Sequence, residues 1–141
     1  MSNEAKPTIA SARMACLEAR WPAPQNVKAL TTTRVGGVSS PPFESFNLGL
    51  STGDDRRLVL QNRARLQEQL GLESPPCWLN QAHGNAVASA EAQFGPEMRP
   101  PEADACTAST PGLVCAILTA DCIPVVICDR RGKHVAAAHA G

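Results

Sequence analysis

Residues 118–141 read LTADCIPVVICDRRGKHVAAAHAG, and the way they divide into strands decides the fold. IPVVICD and HVAAAHA are apolar runs on either side of DRRGK, a polar stretch with a glycine, which together spell a β-hairpin. Upstream, GLVCAILTAD (112–121) reads as another strand, divided from the first arm near Pro124, which cannot donate a ladder hydrogen bond. Asp121 and Cys122 interrupt what is otherwise a buried apolar strand. They are either a strand end with a small buried thiol or part of a chemical site whose partners lie elsewhere.

Upstream of these strands, PPCWLNQAHGNAVASAE (75–91) reads as a short strand, a turn at His83-Gly84-Asn85 and a second strand. QFGPEMRPPEAD (93–104) is a proline-rich loop. STGDDRRLVLQNRARLQEQLG (51–71) is the clearest helix: Ser51, Thr52 or Asp54 can cap it, Asp54 and Asp55 suit the positive end of its dipole, and Gly71 stops it. Val59, Leu66 and Leu70 form its apolar stripe. Asn62 shares that face and must find a hydrogen bond, to a loop passing over it. VKALTTTR (27–34) reads as a strand, and VGGVSSPPFESFNLGL (35–50) as an irregular loop. Strands joined by short connections predict an α+β fold with mixed sheets rather than a regular βαβ array. The division expected is an N-terminal segment, 1–26, followed by one domain from 27 to 141.

Hydrophobic residues make up 43% and charged residues 18% of the 141, a globular composition. Thirteen basic and thirteen acidic side chains cancel, which argues against broad binding to nucleic acid or an anionic membrane. No run approaches the ~18 apolar residues of a membrane span. MSNEAKPTIASARMACLEAR at the start lacks the apolar core of a secretory signal. The six cysteines (16, 77, 106, 115, 122 and 128) include no Cys-x-x-Cys pair, and several sit in apolar runs. Reduced thiols in the cytoplasm are expected, not a disulfide framework.

The histidines are His83, His134 and His139. His134 and His139 are five apart, so on a strand they face opposite sides, and His134 adjoins the charged turn. His83, Cys122 and His139 offer two imidazoles and a thiolate, a donor set zinc accepts while keeping a fourth position open. Asp121 would orient a ligand or handle a proton. The spacing matches no short metal motif, so structural roles for these residues stay open, as does a cysteine nucleophile with His139 as base. Three histidines are too few for several coppers. Arg34, followed by Gly36-Gly37 and Ser39-Ser40, could grip a phosphate, the alternative being a plain glycine turn beside a surface arginine.

TTTRVGGVSSPPFESFNLGL, the QNRARL helix, WLNQAHG, ADACTASTPGLVCAILTADCIPVVICD and VAAAHAG occur in that order. From about Trp21 onward the chain resembles the laccase-domain family, also called the polyphenol oxidase or peptidoglycan-editing-factor family. The resemblance implies a mixed α/β sandwich of sheets between helices. Its metal site would fall on His83, Cys122 and His139, holding zinc rather than the copper of the family's label. It implies a purine nucleoside phosphorylase acting on adenosine, inosine or methylthioadenosine with phosphate, with adenosine deamination as a second activity. Asp121 and Cys122 are then the catalytic candidates, and Arg34 and Gln81 those for substrate or phosphate. The family pattern runs on past His-Ala-Gly, so an incomplete domain with an uncovered apolar sheet and self-association through it is also expected. The alternatives are an inactive remnant or interaction module, and a cysteine hydrolase using Cys122 and His139.

Overall fold

A computed structural model describes residues 13–92 and 99–141. Most of the N-terminal segment's first half and the start of the proline-rich loop lie outside the described residues. The chain divides into two compact units, Met1–Ala19 with Leu30–Gly71, and Arg20–Ala29 with Leu72–Gly141.

In the first unit, β1 (Cys16–Glu18) pairs antiparallel with β2 (Leu30–Thr32). The strand expected over 27–34 is thus three residues long, and its partner is a strand inside the N-terminal segment that has too few residues to show periodicity. Helix α1 (Arg56–Gln69) begins at Asp55, whose carboxylate accepts the Arg57 N–H at 2.8 Å. This corrects the expected cap: Asp54 is occupied instead by Ser39 Oγ at 2.6 Å and Asn47 Nδ2 at 3.0 Å. Leu70 closes the helix and Gly71 follows at φ +63°, the left-handed stop expected of a glycine there.

The buried face of α1 is Val59, Asn62 and Leu66. Asn62 does bind a loop passing over it. Its Oδ1 accepts the Val38 N–H at 2.9 Å, and its Nδ2 donates to Ser39 Oγ, Ser45 O and Asn47 O at 3.0, 3.2 and 2.8 Å. The loop folds back on itself so tightly that a Cβ on Gly37 would stand 1.9 Å from Ser45 O. Arg34 fastens the loop's base: its carbonyl accepts the Ser45 and Phe46 N–H groups, and its Nε donates to Glu44 O at 3.1 Å.

The second unit is built on a mixed sheet. β3 (Val87–Ser89) runs parallel to β4 (Ala105–Ala108), and β6 (Val135–Ala140) lies antiparallel between β4 and β5 (Ile123–Cys128), giving the order β3-β4-β6-β5. The hairpin read from 123–140 is present, with Pro124 opposite His139. β5 is not buried, however. It pairs on one side only, and Ile123 and Ile127 are 66% and 55% exposed. A proline is tolerated on such an edge.

The core is Cys77, Leu79, Ala90, Ala103, Cys106 and Ala108, with Leu113, Cys115, Ile117 and Val135 packed around it. Burial pushes the Cys77 thiol up to about 12. All six cysteines are free, and two of them, Cys77 and Cys106, are buried as small hydrophobes. The strand expected over 112–121 is absent apart from a single bridge between Cys115 and Cys77. Its place is taken by a side chain: Gln81 Nε2 donates to Leu118 O at 2.8 Å, and Leu118 N donates to Gln81 Oε1 at 2.7 Å. An amide side chain can imitate one rung of a ladder without extending it.

Candidate metal centre

Three segments of the second unit bring the candidate ligands together. His83 sits in the turn before β3, Cys122 immediately precedes β5, and His139 lies near the end of β6. One ligand atom from each lies within 4.8 Å of the other two. The imidazoles of His83 and His139 meet edge to face, with centroids 4.7 Å apart. His134 is elsewhere, its Nδ1 3.0 Å from Asp129 Oδ2 in the hairpin turn. His134 lies just before β6 rather than on it, so the hairpin turn, and not the strand alternation expected, separates the two C-terminal histidines.

The turn carrying His83 is unusual. His83 has φ +56°, a left-handed conformation that a residue with a side chain seldom adopts. The N–H groups of Ala82, His83 and Gly84 all point at Asp104, at 3.1, 3.0 and 2.7 Å. Successive N–H groups around a left-handed residue form a concave nest for an anion, and here the anion is internal. Asp104 also accepts from His139 Nδ1 at 2.8 Å, with both side chains 4% exposed. The His139 bond first, and then the N–H groups led by Gly84, hold the Asp104 carboxyl down at about 2, against burial, which pushes it the other way. An ionised carboxylate can only accept, so Nδ1 of His139 donates in this bond and Nε2 is the ring nitrogen that the bond leaves free.

Sequence reasoning missed Asp104. The available signal was an acid at the head of the apolar run ADAC, where a buried carboxylate must have donors. The carboxylate that meets His139 Nδ1 is that of Asp104. Asp121 is exposed, with Oδ1 3.8 Å from Cys122 Sγ. Gln81 holds Leu118 with both amide atoms, and Arg34 belongs to the other unit.

The donor set suits a metal of zinc's kind. A zinc ion with bonds of ~2.0–2.3 Å would need its ligand atoms roughly 3.3–3.7 Å apart, so from separations within 4.8 Å a contraction of at most about 1–1.5 Å suffices. Room for it is kept by Gly141: a Cβ there would stand 2.4 Å from His83 Nδ1. No helix among the described residues is long and apolar enough to cross a membrane.

A purine nucleoside phosphorylase of Pseudomonas aeruginosa is 51% identical over 121 residues, which are 86% of this chain and 47% of that protein. The purine nucleoside phosphorylase YfiH of Escherichia coli is 48% identical over 122 residues, 86% of this chain and 49% of the relative. A crystal structure of a Neisseria meningitidis protein superposes with a TM-score of 0.81 at 50% identity, covering 89% of this chain and 50% of that one. The chain thus spans about half the length of the curated relatives it matches. Residues 28–141 match the family described as multi-copper polyphenol oxidoreductase laccase, and to that laccase-domain family, with its mixed α+β fold, the chain belongs.

Proposed function

We propose that this chain carries the metal-binding part of a zinc-dependent purine nucleoside phosphorylase. The observation that carries the reading is the convergence of His83, Cys122 and His139 within 4.8 Å, in a chain about half identical to relatives named purine nucleoside phosphorylase. Two imidazoles and one thiolate favour zinc. The described residues contain one such cluster, and with three histidines in the chain a multi-copper centre has too few ligands. A zinc ion held there would supply Lewis-acid polarisation of a reacting group.

The chain's own residues have these proposed parts. His83, Cys122 and His139 bind the metal, and Asp121, exposed beside Cys122, moves a proton. Arg34 binds phosphate through the end of its guanidinium, its Nε being tied to Glu44 O. Gln81 reaches a substrate only by releasing one of its two bonds to Leu118. The substrates are adenosine, inosine or methylthioadenosine with phosphate, giving free base and ribose 1-phosphate, with adenosine deamination as a second activity. The neutral balance of charge and the residues at the site favour a cytoplasmic small-molecule enzyme over a nucleic-acid or membrane partner.

A second reading has one observation in its favour. His139, oriented by Asp104 and close to Cys122, is the arrangement of a cysteine nucleophile with its base. Against it, His83 crowds the same thiol as a third donor. If the chain acts with neither chemistry, the exposed apolar residues of β5 suit an interaction or self-association role.

The test is elemental analysis of purified protein for zinc and copper, with Cys122→Ser alongside, followed by assay with adenosine and phosphate. The expected result is near one zinc per chain, lost in Cys122→Ser, and turnover abolished by chelator. Absence of phosphorolysis together with a hydrolytic activity that survives chelation but not thiol alkylation would move the assignment to the hydrolase.

A further inference from the structure

We infer that Asp104 is the positioning residue of the metal centre, a single carboxylate that sets two of its three ligands before any metal arrives. The inference rests on the metal-binding reading above and concerns how this chain prepares the site. The two histidines are 56 residues apart in sequence, and nothing local relates them. Asp104 joins them through both of its oxygens. Oδ1 takes the His83 N–H and His139 Nδ1, and Oδ2 takes the Ala82 and Gly84 N–H groups.

Each bond has a separate consequence. The bond to His139 fixes the ring with its proton on Nδ1 and its Nε2 lone pair free, the form a metal requires. The three backbone bonds hold the 82–84 turn around a left-handed His83, a conformation that persists only where its surroundings enforce it. Asp104 is itself held at the main chain: its N–H donates to Ala86 O at 3.1 Å, and its carbonyl accepts the His139 N–H at 2.7 Å. The carboxylate is therefore fixed from behind by the segments whose side chains it aims. Cys122 has no share in this device and is the ligand left to close on the metal.

Asparagine at 104 has the same size but one acceptor atom in place of two. Whichever way its amide turns, an NH2 group meets N–H donors, so the turn and His139 cannot both be satisfied. Loss of such an orienting partner typically weakens metal binding by about 10–100-fold.

Two measurements test this. Zinc affinity of wild type, Asp104→Asn and Cys122→Ser is read by competition with a chromophoric chelator, with circular dichroism reporting folding. The tautomer of His139 is read from ring 15N shifts in metal-free wild-type protein. The expected results are a zinc constant weaker by about 10–100-fold in folded Asp104→Asn, and in the neutral His139 ring of the metal-free wild type a proton on Nδ1 rather than on Nε2. Asp104→Asn that binds zinc as tightly as wild type, or a metal-free His139 protonated at Nε2 alone, would overturn the inference. Should Asp104→Asn fail to fold, the tautomer in wild type still decides. A wild-type chain that takes up no zinc overturns the functional proposal instead, and the tautomer again speaks for Asp104 by itself.

Discussion

Asn62 and Asp104 are polar side chains standing where packing alone would put an apolar one, and each organises irregular backbone around itself. Asn62 is wholly buried and spends one acceptor and both donor hydrogens on the loop above α1. Asn62→Ala would leave the Val38 N–H and the oxygens of Ser45 and Asn47 without that partner. Since an unsatisfied buried group costs about 1–3 kcal/mol, a loss of about 2–4 kcal/mol is expected in urea unfolding. Asn62→Asp keeps the acceptor for Val38 but turns a carboxylate oxygen toward three other oxygens, so it should be at least as damaging. A loss below about 0.5 kcal/mol in the alanine variant, the range of ordinary surface changes, would show that the loop does not depend on Asn62.

At the level of elements, the short turn Ala90–Ala92 after β3 is clasped to the segment after β4 by one carboxylate. Glu91 accepts from the Ser109 N–H and Oγ, from the Thr110 N–H at 3.0 Å and from Ser89 Oγ at 2.7 Å. The Ser109 N–H first, then the two serine hydroxyls, hold the Glu91 carboxyl well below its ordinary value of 4.5. A depressed folded value means that the unfolded chain takes up the proton first as pH falls. The clasp therefore contributes fully above about 4.5 and is lost as pH drops toward the folded value. Glu91→Gln should melt a few degrees below wild type at pH 7, and the gap should narrow steadily below pH 4. A gap unchanged between pH 7 and pH 3 would assign it to shape rather than charge. Elements of this kind explain what the sequence could and could not disclose. Helix α1 and the β5–β6 hairpin were legible because periodicity, a stop glycine and a polar turn are local signals. The 112–121 segment misled because its partner is the Gln81 side chain, and β1 was hidden because three residues carry no period. The three candidate ligands were legible by residue type. Asp104 was not, because its partners are mostly main-chain N–H groups, which no residue name announces.

Across the molecule, the candidate ligands tie together segments that are distant in the chain: 39 residues separate His83 from Cys122, and 17 separate Cys122 from His139. An unfolded chain does not hold the three in one place, so metal binding and folding of the second unit are linked. A ligand that binds only the folded form adds about 2.7 kcal/mol at a hundredfold excess over its dissociation constant. A unit of this size shifts its midpoint by about 4–8 °C per kcal/mol. Zinc should therefore raise the melting temperature by roughly 10 °C or more under those conditions. The rise is trimmed to the extent that zinc also binds the six thiols of the unfolded chain. Chelator should reverse it. Cys122→Ser should flatten the dependence on zinc concentration, while Cys16→Ser, in the first unit, should leave it intact. A midpoint indifferent to zinc in a chain that demonstrably holds the ion would mean that the ligands are gathered in the unfolded state too, and that the sheet of the second unit contributes less to assembling the site than its geometry requires.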